Sequence, residues 1–308
     1  MSWRISWGYI FMNNPRRKNH IAKWRRKENF TGFLFTLPAL LGMMGFFFFP
    51  FCLSIGVSFT NGFGDLTFVG FRNYATLFGN PTFQLAAYNT ARFIFTAVLS
   101  ILVLSVFLSL LLQKKQKGHE FFRVSFLFPL VLPTASIILF FQLLFSVNGS
   151  FDVFLERLGI PVSNWLHSPY AFYVLVLLYV WKNFGYNVIL FSAAFSSIPP
   201  AYYEVAQLEG ISEWRKFFKI TLPMTLPYWL FIIVSSIISA FSSFREAFIL
   251  GGEHPHSSIY MLQHFINNNF QNLQYVRVVT ASILIFSVIF LFVFFMLKFR
   301  NRYGDIEL

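Results

Sequence analysis

Six long apolar stretches, separated by short polar segments, run through the sequence. They cover about residues 31–58, 88–112, 121–146, 170–195, 226–250 and 277–299. Because a helix of about 20 apolar residues crosses the hydrocarbon core of a bilayer, the pattern predicts an all-α membrane protein with about six transmembrane helices, numbered here span 1 to span 6. Span 1 is longer than the apolar core of a signal peptide, so we expect it to be retained as a helix.

The basic residues are distributed unevenly between the two sides of these spans. Seventeen lysines and arginines fall on one side, in residues 1–30, 113–120, 196–225 and 298–302. The three other loops contain Arg72, Arg157 and Arg277. Since lysine and arginine mark cytoplasmic segments, we predict that both termini are cytoplasmic. The predicted parts are a basic N-terminal tail (1–30), a six-helix domain (31–300) and a C-terminal tail (301–308).

The composition agrees with a lipid-facing surface. The chain is 56% hydrophobic and 12% charged, whereas soluble domains carry about 25% charged residues. The net charge of +12 lies mainly beside apolar stretches and in the N-terminal tail, which suits anionic lipid and argues against nucleic acid as a partner. The single cysteine, Cys52, excludes an intramolecular disulfide and a cysteine-cluster metal site.

The loop 196–225 has the signals of two short helices. Pro199 and Pro200 favour a helix start, and Gly210 is a natural stop. Ser212 can cap a second helix, whose aromatic face comprises Trp214, Phe217 and Phe218. We expect this second helix to lie at the headgroup boundary and to end at Pro223 and Pro227, before span 5.

Residues 204–223 of this loop read EVAQLEGISEWRKFFKITLP. The segment resembles the loop of the inner-membrane permeases of binding-protein-dependent ABC importers: EAA, three residues, G, nine residues, I, one residue, LP. The residues in that spacing are Glu204, Ala206, Gly210, Ile220, Leu222 and Pro223. Val205 replaces the first alanine of the motif. Glu209 stands where the carbohydrate branch of the family, which serves maltose, multiple sugars and glycerol phosphate, usually has aspartate.

Other segments between about residues 30 and 300 resemble the same branch. They include Phe68–Gly70, Asn73-Tyr74, Leu77-Phe78, Asn89-Thr90, Phe122-Arg123, Phe128-Pro129, Trp165-Leu166 and Trp181-Lys182. The match is imperfect after span 5, where the family usually has GGP and this chain has Gly251-Gly252-Glu253. The resemblance implies the type I ABC importer permease fold and a multi-pass protein of the bacterial plasma membrane.

The resemblance also implies the partners. They are a second permease subunit in a heterodimer, two ATP-binding subunits, an extracellular solute-binding lipoprotein, membrane lipid and a sugar. The chain has no G-x-x-x-x-G-K-[ST] phosphate loop, so we expect no cofactor and no catalytic residue here. ATP and Mg²⁺ would be bound by the partner ATPase. The loaded binding protein would dock on the outer loops, and the sugar would cross by alternating access.

In the family the loop contacts the ATPase, which implies a set of coupling residues. They are Glu204, Val205, Ala206, Leu208, Glu209, Gly210 and Ile211. Glu204 lies in the first turn of the predicted helix, where the helix dipole favours a negative charge. Ala206 is small enough for close approach to a partner, and Gly210 permits a sharp turn. The alternative is that the loop is a passive connector between two spans.

Several polar and aromatic residues fall inside spans 4 and 5. They are Trp181, Lys182, Asn183, Tyr186, Asn187, Phe244, Arg245 and Glu246. A charge at the bilayer centre costs about 2.5–3.5 kcal/mol on insertion scales, and aromatic rings with amides suit a sugar. Our hypothesis is that some of these residues line a sugar path shared with the second permease. The alternative is that Lys182 anchors helix packing and Arg245 extends towards the interface.

Two rival classes remain at this point. An ion-coupled secondary transporter of a polar solute would require carboxylates or broken helices near the midplane, and Glu246 lies towards a span end. A membrane enzyme would require convergent catalytic groups, which the spans lack. His254, His256 and His264 could suggest a metal site, but we favour an outer-loop contact with the binding protein and predict no metal.

Overall fold

The computed structural model describes residues 31–113, 119–160 and 164–303. Five helices in this part are long and apolar enough to cross a membrane: Thr31–Ser58, Pro81–Gln113, Ala171–Ser196, Leu226–Gly251 and Tyr275–Lys298. They are spans 1, 2, 4, 5 and 6, and the described residues contain no strand. Thr60 and Phe68 form an isolated antiparallel bridge. The predicted N-terminal tail lies outside the described residues, and the last helix extends to Tyr303.

Span 3 is not a single helix. Its apolar stretch is divided into helices His119–Ser125, Phe128–Val131 and Thr134–Leu144. Proline lacks a backbone N–H and disfavours helical geometry in the residue before it, and Leu132 accordingly adopts an extended conformation. The apolar stretch was predicted correctly from the sequence, but the prolines break the helix rather than merely bend it.

Shorter helices connect the spans. They are Arg72–Phe78, Ser150–Arg157, Pro200–Leu208, Glu213–Lys216 and Leu262–Gln271. Span 2 begins at Pro81 rather than near residue 88, because the side chain of Asn80 accepts hydrogen bonds from the N–H groups of Thr82 and Phe83 at 2.9 and 3.1 Å. Span 5 is interrupted at residues 242–243, which divide Leu226–Phe241 from Phe244–Gly251.

Span 4 is the most buried of the five long helices. In the most apolar 18-residue stretch of span 4, 56% of the residues are buried, against 6% in the corresponding stretch of span 1. Span 4 packs along span 2, where two buried hydroxyls donate to its backbone carbonyls: Ser105 to Phe184 at 3.2 Å and Ser109 to Val188 at 2.9 Å. Small hydroxyl residues allow membrane helices to approach closely, so spans 2 and 4 form the centre of the chain.

Span 1 lies at the periphery and packs against span 6. The rings of Phe51 and Phe286 meet edge to face at 4.7 Å. Much of the remaining surface of span 1 is exposed apolar side chain, as expected for a helix that faces lipid or another membrane subunit.

Candidate coupling loop and translocation path

The first half of the loop is a short helix, Pro200–Leu208, which we call the coupling helix. Gly210 ends it with φ of +67°, a conformation that costs little for glycine. The N–H of Ile211 donates to the carbonyl of Ala206 at 3.0 Å, and the N–H of Gly210 donates to Gln207 at 3.1 Å. These two bonds form a Schellman motif and confirm the predicted stop of the helix, while its first residue, Pro200, confirms the predicted start.

The coupling helix presents apolar side chains outward. Leu208 is 90% exposed and Val205 is more than half exposed, and the carboxylates of Glu204 and Glu209 are also on the surface. Apolar side chains exposed on a short helix in a polar compartment are typical of a surface that a partner covers.

Ala206 differs from its predicted role, because it is buried within the chain. Its small side chain therefore permits close packing inside the subunit, and it does not form part of the outer face of the coupling helix. On the same inner side, the hydroxyls of Tyr203 and Thr221 are 2.9 Å apart. This contact attaches the coupling helix to the segment that leads into span 5.

The second half of the loop is nearly continuous with span 5. Helix Glu213–Lys216 is followed by a π-helical turn, Phe217–Thr221, and by Leu222–Met224. One residue, Thr225, then precedes span 5. The expected end at Pro223 and Pro227 was wrong, because each proline occupies the first turn of a new helical segment, where no N–H is required.

The predicted aromatic face of this second helix is only partly correct. Trp214 and Phe218 are exposed and stacked, with ring centroids 6.3 Å apart. Phe217 is instead half-buried and contacts Trp229 of span 5 at 6.5 Å. The π-helical turn that begins at Phe217 changes the helical register, and the three rings therefore do not share one face.

The charged residues inside the spans form an ion pair. Lys182 Nζ lies 2.5 Å from Glu246 Oε1 and 2.9 Å from Thr134 Oγ1. Glu246 is buried, and Lys182 is mostly buried. Mutual neutralisation lowers the cost of both charges inside a membrane. The ammonium group thus joins spans 3, 4 and 5, beside the break in span 3 at residue 133 and the break in span 5 at residues 242–243.

The remaining predicted path residues divide by exposure. Asn187 is buried and donates to Ser236 Oγ of span 5 at 2.8 Å, while Asn183 donates to a backbone carbonyl of its own helix. Trp181 packs against Phe141, and Phe244 against His264. Tyr186 and Arg245 are exposed. The structure therefore brings Lys182 and Glu246 together for packing and leaves Tyr186 and Arg245 on the surface.

The three histidines do not form one cluster. His264 is fully buried, and its burial lowers its pKa to about 4, so it is neutral at physiological pH and cannot contact a docked protein directly. His254 is exposed and lies 3.3 Å from the Asn268 amide. Across the described residues, no group of three histidine, cysteine, aspartate or glutamate residues could hold a metal ion.

A family model described as the inner membrane component of binding-protein-dependent transport systems matches residues 101–303. The chain belongs to this family. The match covers the end of span 2, spans 3 to 6 and the coupling loop, and it confirms the resemblance drawn from residues 204–223. This permease is a membrane-embedded transport subunit and not an enzyme, and in these systems the ATPase is a separate subunit.

Several relatives of this permease are named as sugar transport proteins. It is 30% identical over 223 residues to an arabinooligosaccharide transport system permease of Bacillus subtilis (strain 168), covering 71% of each chain. It is also 30% identical to the lactose transport system permease of Rhizobium radiobacter, covering 79% of this chain and 84% of that protein. These matches confirm the resemblance to the carbohydrate branch.

Solved structures confirm the fold. A bacterial ABC transporter that imports the acidic polysaccharide alginate superposes on the permease with a TM-score of 0.79, at 21% identity, covering 91% of this chain and 99% of that one. The same kind of transporter, in complex with an alginate pentasaccharide-bound periplasmic protein, gives a TM-score of 0.78 at 20% identity. At this level of identity, the likeness describes architecture.

Sequence reasoning missed Gly185 in span 4. A Cβ at this position would lie 1.6 Å from the carbonyl oxygen of Phe126, in the broken span 3. Span 4 therefore approaches the backbone of span 3 more closely than any side chain permits. Its polar neighbours, Lys182 and Asn187, stand out in an apolar helix, whereas the sequence alone does not indicate which backbone a glycine in a membrane helix will contact.

Proposed function

We propose that this chain is a transmembrane subunit of an ATP-driven oligosaccharide importer, forms half of its translocation path, and couples to a separate ATPase through residues 204–223. The exposed face of the coupling helix, with Leu208 and Val205 outward, carries the proposal. The near-continuous run from Glu213 into span 5 supports it, because movement of the loop would be transmitted directly to the path. Relatives named for arabinooligosaccharides and lactose support a sugar substrate.

The proposed assembly contains a second permease subunit in a heterodimer, two ATP-binding subunits that hold ATP and Mg²⁺, and an extracellular solute-binding lipoprotein. Within this chain, Tyr186 and Arg245 are the exposed members of the predicted path, and Asn183 and Trp181 flank them. Lys182 and Glu246 would hold the path in shape rather than touch the sugar. The ion-coupled alternative gains no support, because the carboxylate of Glu246 is paired with Lys182.

The coupling role predicts a loss of sugar-stimulated ATP hydrolysis. In the reconstituted complex, Leu208→Asp, Glu204→Ala and Gly210→Pro should each lower stimulated hydrolysis. Leu208→Asp would place a charge in the contact, and Gly210→Pro cannot adopt the observed φ of +67°. An increase of about 1.4 kcal/mol in the activation free energy lowers a rate roughly tenfold. We expect Leu208→Asp to lower the rate of stimulated hydrolysis by at least this factor.

Gly159 provides a matched control for backbone strain. Its φ is +70°, and open space surrounds its Cβ position, as at Gly210, but it lies in the loop before span 4. Gly159→Pro should leave the ATPase bound to the complex and its basal hydrolysis close to wild type, because the strained residue lies away from the coupling helix. Equal activity in wild type, Leu208→Asp and Gly210→Pro would show that the loop is a passive connector.

The orientation is proposed from the lysine and arginine bias and predicts which loops face the cytoplasm. In a Cys52→Ser background, an impermeant maleimide added to intact cells should label Asn272→Cys and not Leu208→Cys. Both sites are exposed on this subunit, so each should react after the cells are opened and the partner subunits are removed. Labelling of Leu208→Cys in intact cells would show that the topology is opposite to the one proposed.

A further inference from the structure

The segment directly after span 1, residues 59–71, exposes an unusual amount of apolar surface, and we call it the aromatic loop. Four of its large side chains are between 62 and 75% exposed: Phe63, Leu66, Phe68 and Phe71. None of them belongs to the coupling helix or to the predicted path. Apolar residues clustered on one short loop, rather than scattered singly, indicate a surface that another phase or molecule covers.

The aromatic loop is a fixed structure. Thr60 and Phe68 form the antiparallel bridge, and the N–H of Val69 donates to the carbonyl of Phe59 at 2.8 Å. The Asn73 amide donates to the carbonyls of Ser58 and Thr60 at 2.9 and 2.8 Å. These bonds satisfy backbone groups across the loop, and they hold the four apolar side chains in defined positions.

The one carboxylate of the aromatic loop is used internally. Asp65 accepts hydrogen bonds from the Asn61 amide and from the hydroxyl and N–H of Thr67. These bonds lower the pKa of Asp65, because they stabilise its charged form. Arg72, the residue directly after the loop, is exposed. The loop thus presents apolar side chains and a satisfied negative charge, with an exposed arginine beside it.

The location of the aromatic loop identifies what covers it. Span 1 has 28 residues and is about 42 Å long at 1.5 Å per residue, against a hydrocarbon core of about 30 Å. Its end at Ser58 therefore reaches the headgroup layer. The loop also leans on the start of span 6, where Phe63 meets Tyr275 at 6.5 Å and Gly62 lies against Val276.

Spans 1 and 6 are the least buried of the long helices: 6% and 17% of the residues in their most apolar 18-residue stretches are buried. The aromatic loop, which follows span 1 and packs beside the start of span 6, therefore continues the surface that faces lipid. Aromatic and aliphatic side chains at this depth enter the boundary between headgroups and acyl chains, and a neighbouring arginine is attracted to lipid phosphate.

We propose that the aromatic loop is an interfacial anchor, inserted into the headgroup region of the bilayer through Phe63, Leu66, Phe68 and Phe71, with Arg72 at the phosphates. The anchor fixes the height of span 1 in the membrane. It holds whichever way the chain is inserted, so it does not depend on the proposed orientation or substrate.

Spin-label accessibility tests the anchor directly. The full chain, copurified with its partner subunits in a Cys52→Ser background, is labelled at Leu66→Cys or Phe68→Cys in vesicles of phosphatidylethanolamine and phosphatidylglycerol. Collisions with oxygen, which concentrates in lipid, are compared with collisions with a water-soluble nickel chelate. We expect the oxygen-to-nickel ratio at both positions to be several-fold higher than at Asn272→Cys, an exposed polar position before span 6.

Native Cys52, exposed on span 1, provides a reference for greater depth. A ratio at Leu66→Cys equal to that at Asn272→Cys would place the loop in water and overturn the proposal. Low collision rates with both reagents would show that a protein subunit covers the loop, which would also overturn it. Phe68 and Phe63 pack their rings against Phe59 and Tyr275, whereas Leu66 is 70% exposed, so its substitution should disturb folding least.

Discussion

Gly185→Ala is expected to prevent stable assembly of the permease. The added Cβ would lie 1.6 Å from the carbonyl oxygen of Phe126 and 2.4 Å from its carbon, and the obstacle is backbone that cannot rotate away. Either span 4 or the broken span 3 must move. Overpacking of a well-packed interior costs about 1–3 kcal/mol and occasionally more, and a contact with backbone should reach or exceed the upper figure. Thermal unfolding of the detergent-solubilised complex, followed by size-exclusion chromatography, measures the effect.

Gly56→Ala is the matched control. Gly56 lies in span 1, and apart from its own helix backbone and chain neighbours nothing lies within 4 Å of the position of its Cβ. Alanine favours a helix by about 0.5–1 kcal/mol over glycine, so this variant should unfold at or slightly above the wild-type temperature. If Gly185→Ala and Gly56→Ala unfold at the same temperature, the close approach of spans 3 and 4 does not exist in the membrane.

The local features of this chain were the ones predictable from sequence. Five of the six apolar stretches became continuous or nearly continuous membrane helices, because length and apolar composition suffice for that inference. The coupling helix was also predictable, since its start at Pro200 and its stop at Gly210 depend on neighbouring residues. The direction of Ala206 was not, because it depends on how the helix packs against the segment before span 5.

The pairing of distant residues was beyond sequence reasoning. Lys182 and Glu246 were both recognised as unusual charges, but counting along the spans placed one near the middle and the other near an end. The break at residues 242–243 and the extended Leu132 alter the relation between sequence position and depth. Gly185 matters for the same kind of reason, because its partner Phe126 lies in the turn between two helices of the broken span 3.

Lys182→Met is expected to destabilise the permease strongly. It would leave Glu246 buried without its partner, and removal of one member of a buried ion pair costs about 3–5 kcal/mol. Glu246→Gln should be milder, because the amide remains a hydrogen-bond acceptor for Lys182 Nζ. The measurement is the unfolding temperature of the complex, read together with sugar-stimulated ATP hydrolysis. Lys298→Met, which removes an exposed lysine outside the coupling loop, is the control and should change little.

A double-mutant cycle separates packing from sugar contact. If the pair is structural, Lys182→Met combined with Glu246→Leu should recover much of the stability lost in Lys182→Met, because an apolar pair of similar volume often replaces a buried ion pair without loss. Sugar-stimulated hydrolysis should return with it. Additive effects of the two substitutions would contradict the pairing. Recovery of stability without recovery of stimulation would instead assign Lys182 or Glu246 to the sugar path, and the ion pair would then be a resting arrangement that opens as the sugar passes.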